Sequence, residues 1–310
     1  MMNRIMIAGP TCSGKSSLAV SLAQEIGGEI ISVDSRQCYR QINVGTAKPS
    51  KDQLEAVPHY NISNLNLDAE DSAQKFYKRA LAWSDEIEQK GNRVIYVGGS
   101  TLHLQSLVKP FDELPSSNQQ NLDSLEREMK KKGIDALFEK LKEVDPEYAH
   151  KMDGKNYQRI FRALDVWMQT GKPFTSFHLN DSFTQPENIS VFGLHWPRKM
   201  LHQRINKRCN EMIENGLIQE TEQILDEGFS QNLQALQTVG YKQVIQYLNK
   251  EIDHDQMIKD FKTATRRYAK RQITWFRRWP FLEWLDRSTH TEPELIERIK
   301  QQVAADSQKG

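Results

Sequence analysis

Gly9, Gly14, Lys15 and Ser16 stand at the spacing G-x-x-x-x-G-K-S inside GPTCSGKSS, residues 9–17, directly after the apolar run RIMIA. A loop of this kind wraps backbone N–H groups around a phosphate chain, with the lysine on the terminal phosphate and the hydroxyl on Mg²⁺. Gly9, Pro10, Thr11, Cys12, Ser13, Gly14, Lys15 and Ser16 are therefore candidate phosphate ligands, and Ser16 is also a candidate metal ligand. Most such loops hold ATP or GTP, so the motif names a ligand group and not a reaction.

Asp34 ends a second apolar run, GEIISVDS. An acid there can organise a metal, cap a helix, or act as a general base aimed at an acceptor. Gly98-Gly99-Ser100 ends a third run, NRVIYVGGS, where the hydroxyl of Ser100 faces either a reaction or nothing more than a turn.

Further along, eight basic residues (Lys259, Lys262, Arg266, Arg267, Lys270, Arg271, Arg277 and Arg278) meet one acid, Asp260, within residues 259–278. In a chain that is otherwise neutral this concentration suits a polyanion, although a solvated face on a core helix has the same composition. Phe261, Tyr268 and Trp275 recur every seven residues and predict an apolar seam rather than a stacking platform. Asn156, Arg159 and Arg162 share one helical face by spacing. Arg204 and Arg208, one turn apart after His202, suit a diphosphate clamp or an ordinary ion-paired face.

These groups need a scaffold. Strands at 4–9, 28–34 and 92–98 alternate with helices at 15–28, 73–91 and 101–108, which predicts a parallel sheet with helices on both faces. Ligands belong at the carboxyl ends of such strands, so the loop at 9–16, Asp34-Ser35 and Gly98–Ser100 should converge. The texture then changes to charged helical segments near 118–132, 134–143 and 156–170, stopped by TGKP. A strand at 189–196 resumes the sheet, followed by helices at 198–215, 217–227, 233–249 and 254–277. The expected fold is α/β, a P-loop NTPase-like parallel sheet flanked by helices with a helical insertion. Residues 1–112 form the first part of the core, 113–187 the insertion, and 188–310 the second part with a helical C-terminal region, whose last ten residues are expected to fray.

Forty-two Lys+Arg against 41 Asp+Glu leave overall charge silent about partners. Cys12, Cys38 and Cys209 lie far apart with no C-x-x-C pair, which argues against a zinc site or a disulfide framework. No apolar run approaches the roughly 20 residues needed to span a bilayer. The first strand starts too near Met1 for a signal or transit peptide, so a cytoplasmic, bacterial protein without membrane contact is expected.

Seven blocks in order resemble the bacterial tRNA dimethylallyltransferases: GPTCSGKS, SVDSRQCYRQINVGTAKP, VGGSTLHLQSL, NYQRIFRALDVWMQTGKP, HQRINKRCNEMIENGL, TVGYKQ and RRYAKRQITWFRR. The resemblance implies transfer of a dimethylallyl group from dimethylallyl diphosphate to the N6 amine of the adenosine 3′ of the anticodon, in tRNAs reading codons that begin with U. The loop then holds a diphosphate and no nucleotide is hydrolysed. Asp34 is implied as general base, Ser100 as the hydroxyl on the bridging oxygen, and Arg208 as the partner of Lys15 on the diphosphate. Asp34, Ser35, Arg36 and Gln37, together with Gln158, Arg159, Ile160, Phe161 and Arg162, match stretches that touch the tRNA anticodon stem-loop; Arg267 and Arg271 on the basic helix are added to that surface. Mg²⁺ is the implied cofactor, and a monomer is expected.

The chain departs from the family pattern at Ser100, usually threonine, Thr101, usually glycine, His103, usually tyrosine, and Asn121, often an arginine that contacts tRNA. No Cys/His finger follows the core. Two other activities fit parts of the pattern: prenyl transfer to free adenine nucleotides, which needs neither the insertion nor the basic helix, and a small-molecule kinase, which would consume ATP.

Overall fold

In a computed structural model, the structure describes residues 3–110, 114–152, 154–177 and 183–307. The chain runs β1 (Arg4–Ala8), α1 (Lys15–Ile26), β2 (Gly28–Val33), α2 (Lys51–Ala56), β3 (His59–Tyr60), α3 (Ala73–Gln89), β4 (Arg93–Gly98) and α4 (Thr101–Val108). Four helices follow: α5 (Gln119–Lys132), α6 (Ile134–Val144), α7 (Pro146–His150) and α8 (Tyr157–Thr170). The remainder is β5 (Ile189–His195), α9 (Arg198–Glu214), α10 (Leu217–Asp226), α11 (Tyr241–Leu248), α12 (His254–Phe276), β6 (Glu283–Asp286) and α13 (Glu292–Ser307).

Six strands form one sheet in the order β3-β2-β4-β1-β5-β6, every pair parallel, as the strand–helix alternation predicts. Successive side chains of a strand point to opposite faces. Ile5 and Ile7 of β1 accordingly pack with Leu18 and Leu22 of α1 and with Leu295, Ile299 and Val303 of α13. Met6 and Ala8 pack on the other face with Phe76 and Ala80 of α3, Leu104 of α4 and Phe276 of α12. Covering both faces is why these strands read as unbroken apolar runs.

Contacts divide the chain into two compact units, 1–110 with 183–310, and 111–182. The second unit packs α5 to α8 around Leu137, Leu141, Ile160 and Leu164, all fully buried. Asp165 is also fully buried there and accepts from Asn121 Nδ2 at 3.0 Å and Gln169 Nε2 at 2.9 Å. Asn121 thus satisfies an interior carboxylate.

Three sequence expectations need correction. The helix expected over 233–249 exists only from Tyr241 to Leu248, because Gly240 at its N-cap has φ +101, a conformation that breaks a helix there. The C-terminus is not frayed through 301–307: α13 runs to Ser307, held by buried Leu295, Ile296, Ile299 and Val303, and residues 308–310 lie outside the described residues. Asn156 is not on the face of α8 but caps it, its side chain accepting from the Arg159 amide at 3.2 Å. Among the described residues no helix is long and apolar enough to cross a membrane.

Candidate active site

The register brings three strand ends to one level, since Ala8 of β1 and Val33 of β2 both stand opposite Gly98 of β4. Only glycine fits at 98, where a Cβ would lie 1.9 Å from the Val33 carbonyl oxygen. The chain leaves these strands at Gly9, Asp34 and Gly99, and a cavity of about 690 Å³ opens within the first unit at that edge. Thr11 to Ser17, Asp34 to Gln37, Gly98, Gly99, Arg204, Arg208, Tyr268, Arg271 and Gln272 line it.

The loop turns into α1 at Gly14, whose φ of +87 is the left-handed conformation that glycine adopts without strain. Lys15 folds back over the loop, its Nζ donating to Pro10 O at 2.7 Å. Burial, and next the charge of Arg208, push its ammonium down to about 8. Two arginines of α9 reach the loop: Arg204 Nε donates to Cys12 O at 2.9 Å, and Arg208 Nη1 lies 3.8 Å from Cys12 Sγ. The Arg204 guanidinium stacks 4.5 Å from the centre of the Trp196 ring, and Trp196 Nε1 donates to Ser13 O at 2.9 Å. Helix N-terminus, lysine and two arginines therefore line one cavity, an arrangement that suits an anion.

Asp34 sits across from this cradle. Its Oδ1 accepts from the amides of Arg36 at 2.8 Å and Gln37 at 3.3 Å, which locks the carboxylate, while no described residue bonds Oδ2. The capping role is real but serves a turn, not a helix. Arg36 Nε donates to Thr238 Oγ1 at 2.6 Å, and Gln37 ties Ser32 to the carbonyls of Thr46 and Ala47. No group of three His, Cys, Asp or Glu side chains able to hold a metal exists among the described residues.

Not every expected residue meets the cavity. Gly9, Pro10 and Ser100 are absent from its wall. Ser100, the N-cap of α4, makes no capping bond and pairs instead with His103 Nδ1 at 3.0 Å. Arg267 is exposed but off the wall, whereas Arg271 is exposed and on it, 5.9 Å from the Tyr268 ring centre. In the second unit Gln158 and Arg159 are exposed, Ile160 and Phe161 are buried, and Arg162 donates to Pro115 O at 2.7 Å and pairs with Asp165 at 3.3 Å.

The expected seam of Phe261, Tyr268 and Trp275 comes apart. Phe261 and Tyr268 both line the cavity, but Phe261 is 3% exposed and packed in the core whereas Tyr268 is 36% exposed. Tyr268 and Asp34 line the same cavity, where desolvation of the hydroxyl, and next the Asp34 charge, raise the Tyr268 phenol. Two polar residues escaped the sequence reading. Gln272 joins Thr11 to Gly99, and Glu220 accepts from the amides of Asn43, Val44 and Gly45 and from the Tyr241 hydroxyl, shaping the wall at 45–47. Neither carries a local signal, because both act on residues distant in the chain.

A profile of the IPP transferase family matches residues 37–279. The tRNA dimethylallyltransferase of Acetivibrio thermocellus is 38% identical over 308 residues, covering 98% of each chain. The tRNA isopentenylpyrophosphate transferase of Bacillus halodurans superposes with a TM-score of 0.73 at 31% identity, covering 99% of both chains. A eukaryotic dimethylallyltransferase acting on tRNA superposes with a TM-score of 0.78 at 27% identity, over 92% of this chain and 74% of its own. With the phosphate loop, the six-stranded parallel sheet and near full-length identity in agreement, the chain belongs to the IPP transferase family, the tRNA dimethylallyltransferases.

Proposed function

We propose that this protein moves the dimethylallyl group of dimethylallyl diphosphate to the N6 amine of the adenosine 3′ of the anticodon, acting as a cytoplasmic monomer on tRNAs that read codons beginning with U. The observation that carries this reading is the cavity itself. A cationic anion cradle (Lys15, Arg204 and Arg208) and an anchored carboxylate with one oxygen unengaged line the same space.

The allylic C–O bond breaks, a C–N bond forms, diphosphate departs, and the amine loses one proton. Lys15, Arg208 and the loop amides stabilise the charge that builds on the leaving diphosphate. The adenine amine is a weak nucleophile because its lone pair is delocalised into the ring, and its N–H is far too weak an acid for a carboxylate to deprotonate in advance. Asp34 Oδ2 takes the proton as the C–N bond forms. The adenosine must leave its stack to reach a cavity of this kind, as other base-modifying enzymes require.

Mg²⁺ fits as an ion shared with the diphosphate. Ser16 offers an exposed hydroxyl at the loop with no hydrogen-bond partner among the described residues and would hold the cation from the protein side, with phosphate oxygens and water as the other donors that suit a hard cation. Bound there, it would supply further positive charge to the leaving group.

Contact with tRNA is assigned to Asp34 to Gln37, to the exposed Gln158 and Arg159 of α8 and to α12, while buried Ile160 and Phe161 hold that helix in its own core. The exposed bases Lys259, Arg267, Lys270 and Arg271 have no ion-pair partner among the described residues, which supports a polyanion partner. Incubating the protein with labelled dimethylallyl diphosphate, Mg²⁺ and unmodified tRNA should move label to tRNA without ATP. Strict dependence on ATP, or phosphate transfer to any acceptor, would overturn the reading in favour of a kinase, and equal transfer to free adenine nucleotides would overturn the tRNA assignment.

A further inference from the structure

Nothing in the proposed reaction uses His103. It is 7% exposed at the third position of α4, its ring 5.0 Å from that of Phe76. Burial pushes it down to about 4; Asp71, Asp34, Arg36 and Arg79 are the charges that act on it. The ring is therefore neutral at ordinary pH and carries one N–H. Its Nδ1 lies 3.0 Å from Ser100 Oγ, and its Nε2 is buried without a partner.

The position of that single proton decides what Ser100 can do. With the proton on Nε2, a buried N–H is left unmet, and Ser100 must spend its own proton on the bare Nδ1. With the proton on Nδ1, only a lone pair is left unmet, Ser100 accepts from the ring, and the Ser100 proton stays available. An orphaned buried N–H is the rarer and costlier of the two. A serine at an N-cap ordinarily accepts from the amide three residues on, but Ser100 makes no such bond, so its hydroxyl is committed to the His103 ring.

We propose that His103 is a positioning residue that holds the Nδ1–H tautomer, donates to Ser100 Oγ, and thereby presents the Ser100 hydroxyl as a donor to the oxygen bridging the prenyl group and the diphosphate. No proton crosses the pair. As charge builds on the bridging oxygen, Ser100 polarises toward it and His103 strengthens its bond to Ser100 in turn, the cooperativity of a hydrogen-bond chain. The role of Ser100, which follows Gly99 of the cavity wall without lining that wall itself, rests on the transferase reading and the family resemblance; the tautomer rests on neither.

The tautomer is read directly by nitrogen-15 NMR of the substrate-free protein, where the expected spectrum shows His103 protonated at Nδ1 and bare at Nε2. Single-turnover transfer then tests the consequence. His103→Phe should slow transfer about tenfold or more, the worth of one bond to a group that gains charge, with tRNA affinity unchanged. His103→Asn, whose amide N–H occupies the Nδ1 position, should recover most of the rate. In a Ser100→Ala background His103→Phe should cost nothing further, because the two act as one unit. An Nε2–H tautomer would overturn the proposal, and so would equal losses from His103→Phe in both backgrounds. An Nδ1–H spectrum combined with a Ser100→Ala enzyme of full activity would instead overturn the role of Ser100 in transfer, and the presentation of its hydroxyl with it.

Discussion

Gln272, 2% exposed near the C-terminal end of α12, accepts a hydrogen bond from the Thr11 amide at 2.9 Å across 261 positions of chain. Its Nε2 donates to the Gly99 carbonyl at 2.7 Å. An amide N–H can only donate and a carbonyl can only accept, so the orientation of the side chain is settled by its partners. One glutamine thus fixes the phosphate loop against the end of β4, and the Thr11 amide is already committed to it rather than to a phosphate.

Gln272→Leu leaves the Thr11 N–H and the Gly99 carbonyl without partners, at about 1–3 kcal/mol for each buried group. The expected outcome is a lower melting temperature and pyrophosphate binding weakened about tenfold or more by calorimetry, with tRNA affinity retained. Unchanged pyrophosphate affinity would show that the loop holds its shape without the glutamine.

Asp34→Asn should keep the turn, since its side-chain carbonyl can still accept from the Arg36 and Gln37 amides, but it cannot take a proton. Transfer in a single turnover should fall by about 10²–10⁴-fold, the usual worth of a general base, with little change in tRNA affinity. Full recovery at raised Mg²⁺ would mean that Asp34 serves the metal instead.

Lys15 gives a pH signature. Burial holds its ammonium down to about 8, against an ordinary lysine value of 10.5. The anion needs the charged form, so affinity for an unreactive dimethylallyl diphosphate analogue should be full below about 8 and fall about tenfold per unit above it. Between about 8 and 10.5 the unfolded chain holds the proton that the folded chain has lost, so stability relative to Lys15→Met should rise with pH over that window. A flat affinity profile across pH 7–10 would refute the Lys15 contact.

Arg267→Ala with Arg271→Ala should weaken tRNA binding and reduce the slope of log affinity on log salt by about one unit per lost phosphate contact. Both side chains are exposed, so the double variant should fold normally. An unchanged affinity and slope would reduce α12 to a solvated face.

What the sequence determined by itself was everything whose cause lies within a few residues. The phosphate loop is legible because glycine spacing controls local backbone torsions, and the strands at 4–9 and 28–34 because a run of apolar side chains must be buried on both faces. The convergence of Gly9, Asp34 and Gly99 follows from parallel pairing alone. Helix α13 was also written locally, with Leu295, Ile296, Ile299 and Val303 at helical spacing, but a polar tail obscured the pattern. Tertiary structure decided the rest. Whether Tyr268 joined the core or the cavity wall depended on how α12 rotates against α9, and heptad spacing is blind to that. The bonds of Gln272 to Thr11 and Gly99, and of Glu220 to the loop at 43–45, join residues far apart in the chain, so their partners emerge only after folding. Even the contact between Ser100 and His103, three positions apart, rests on a burial that strips water from the ring and leaves the hydroxyl as its polar neighbour. Local geometry is encoded by neighbours, but the pairing of polar groups is decided by which of them lose water together.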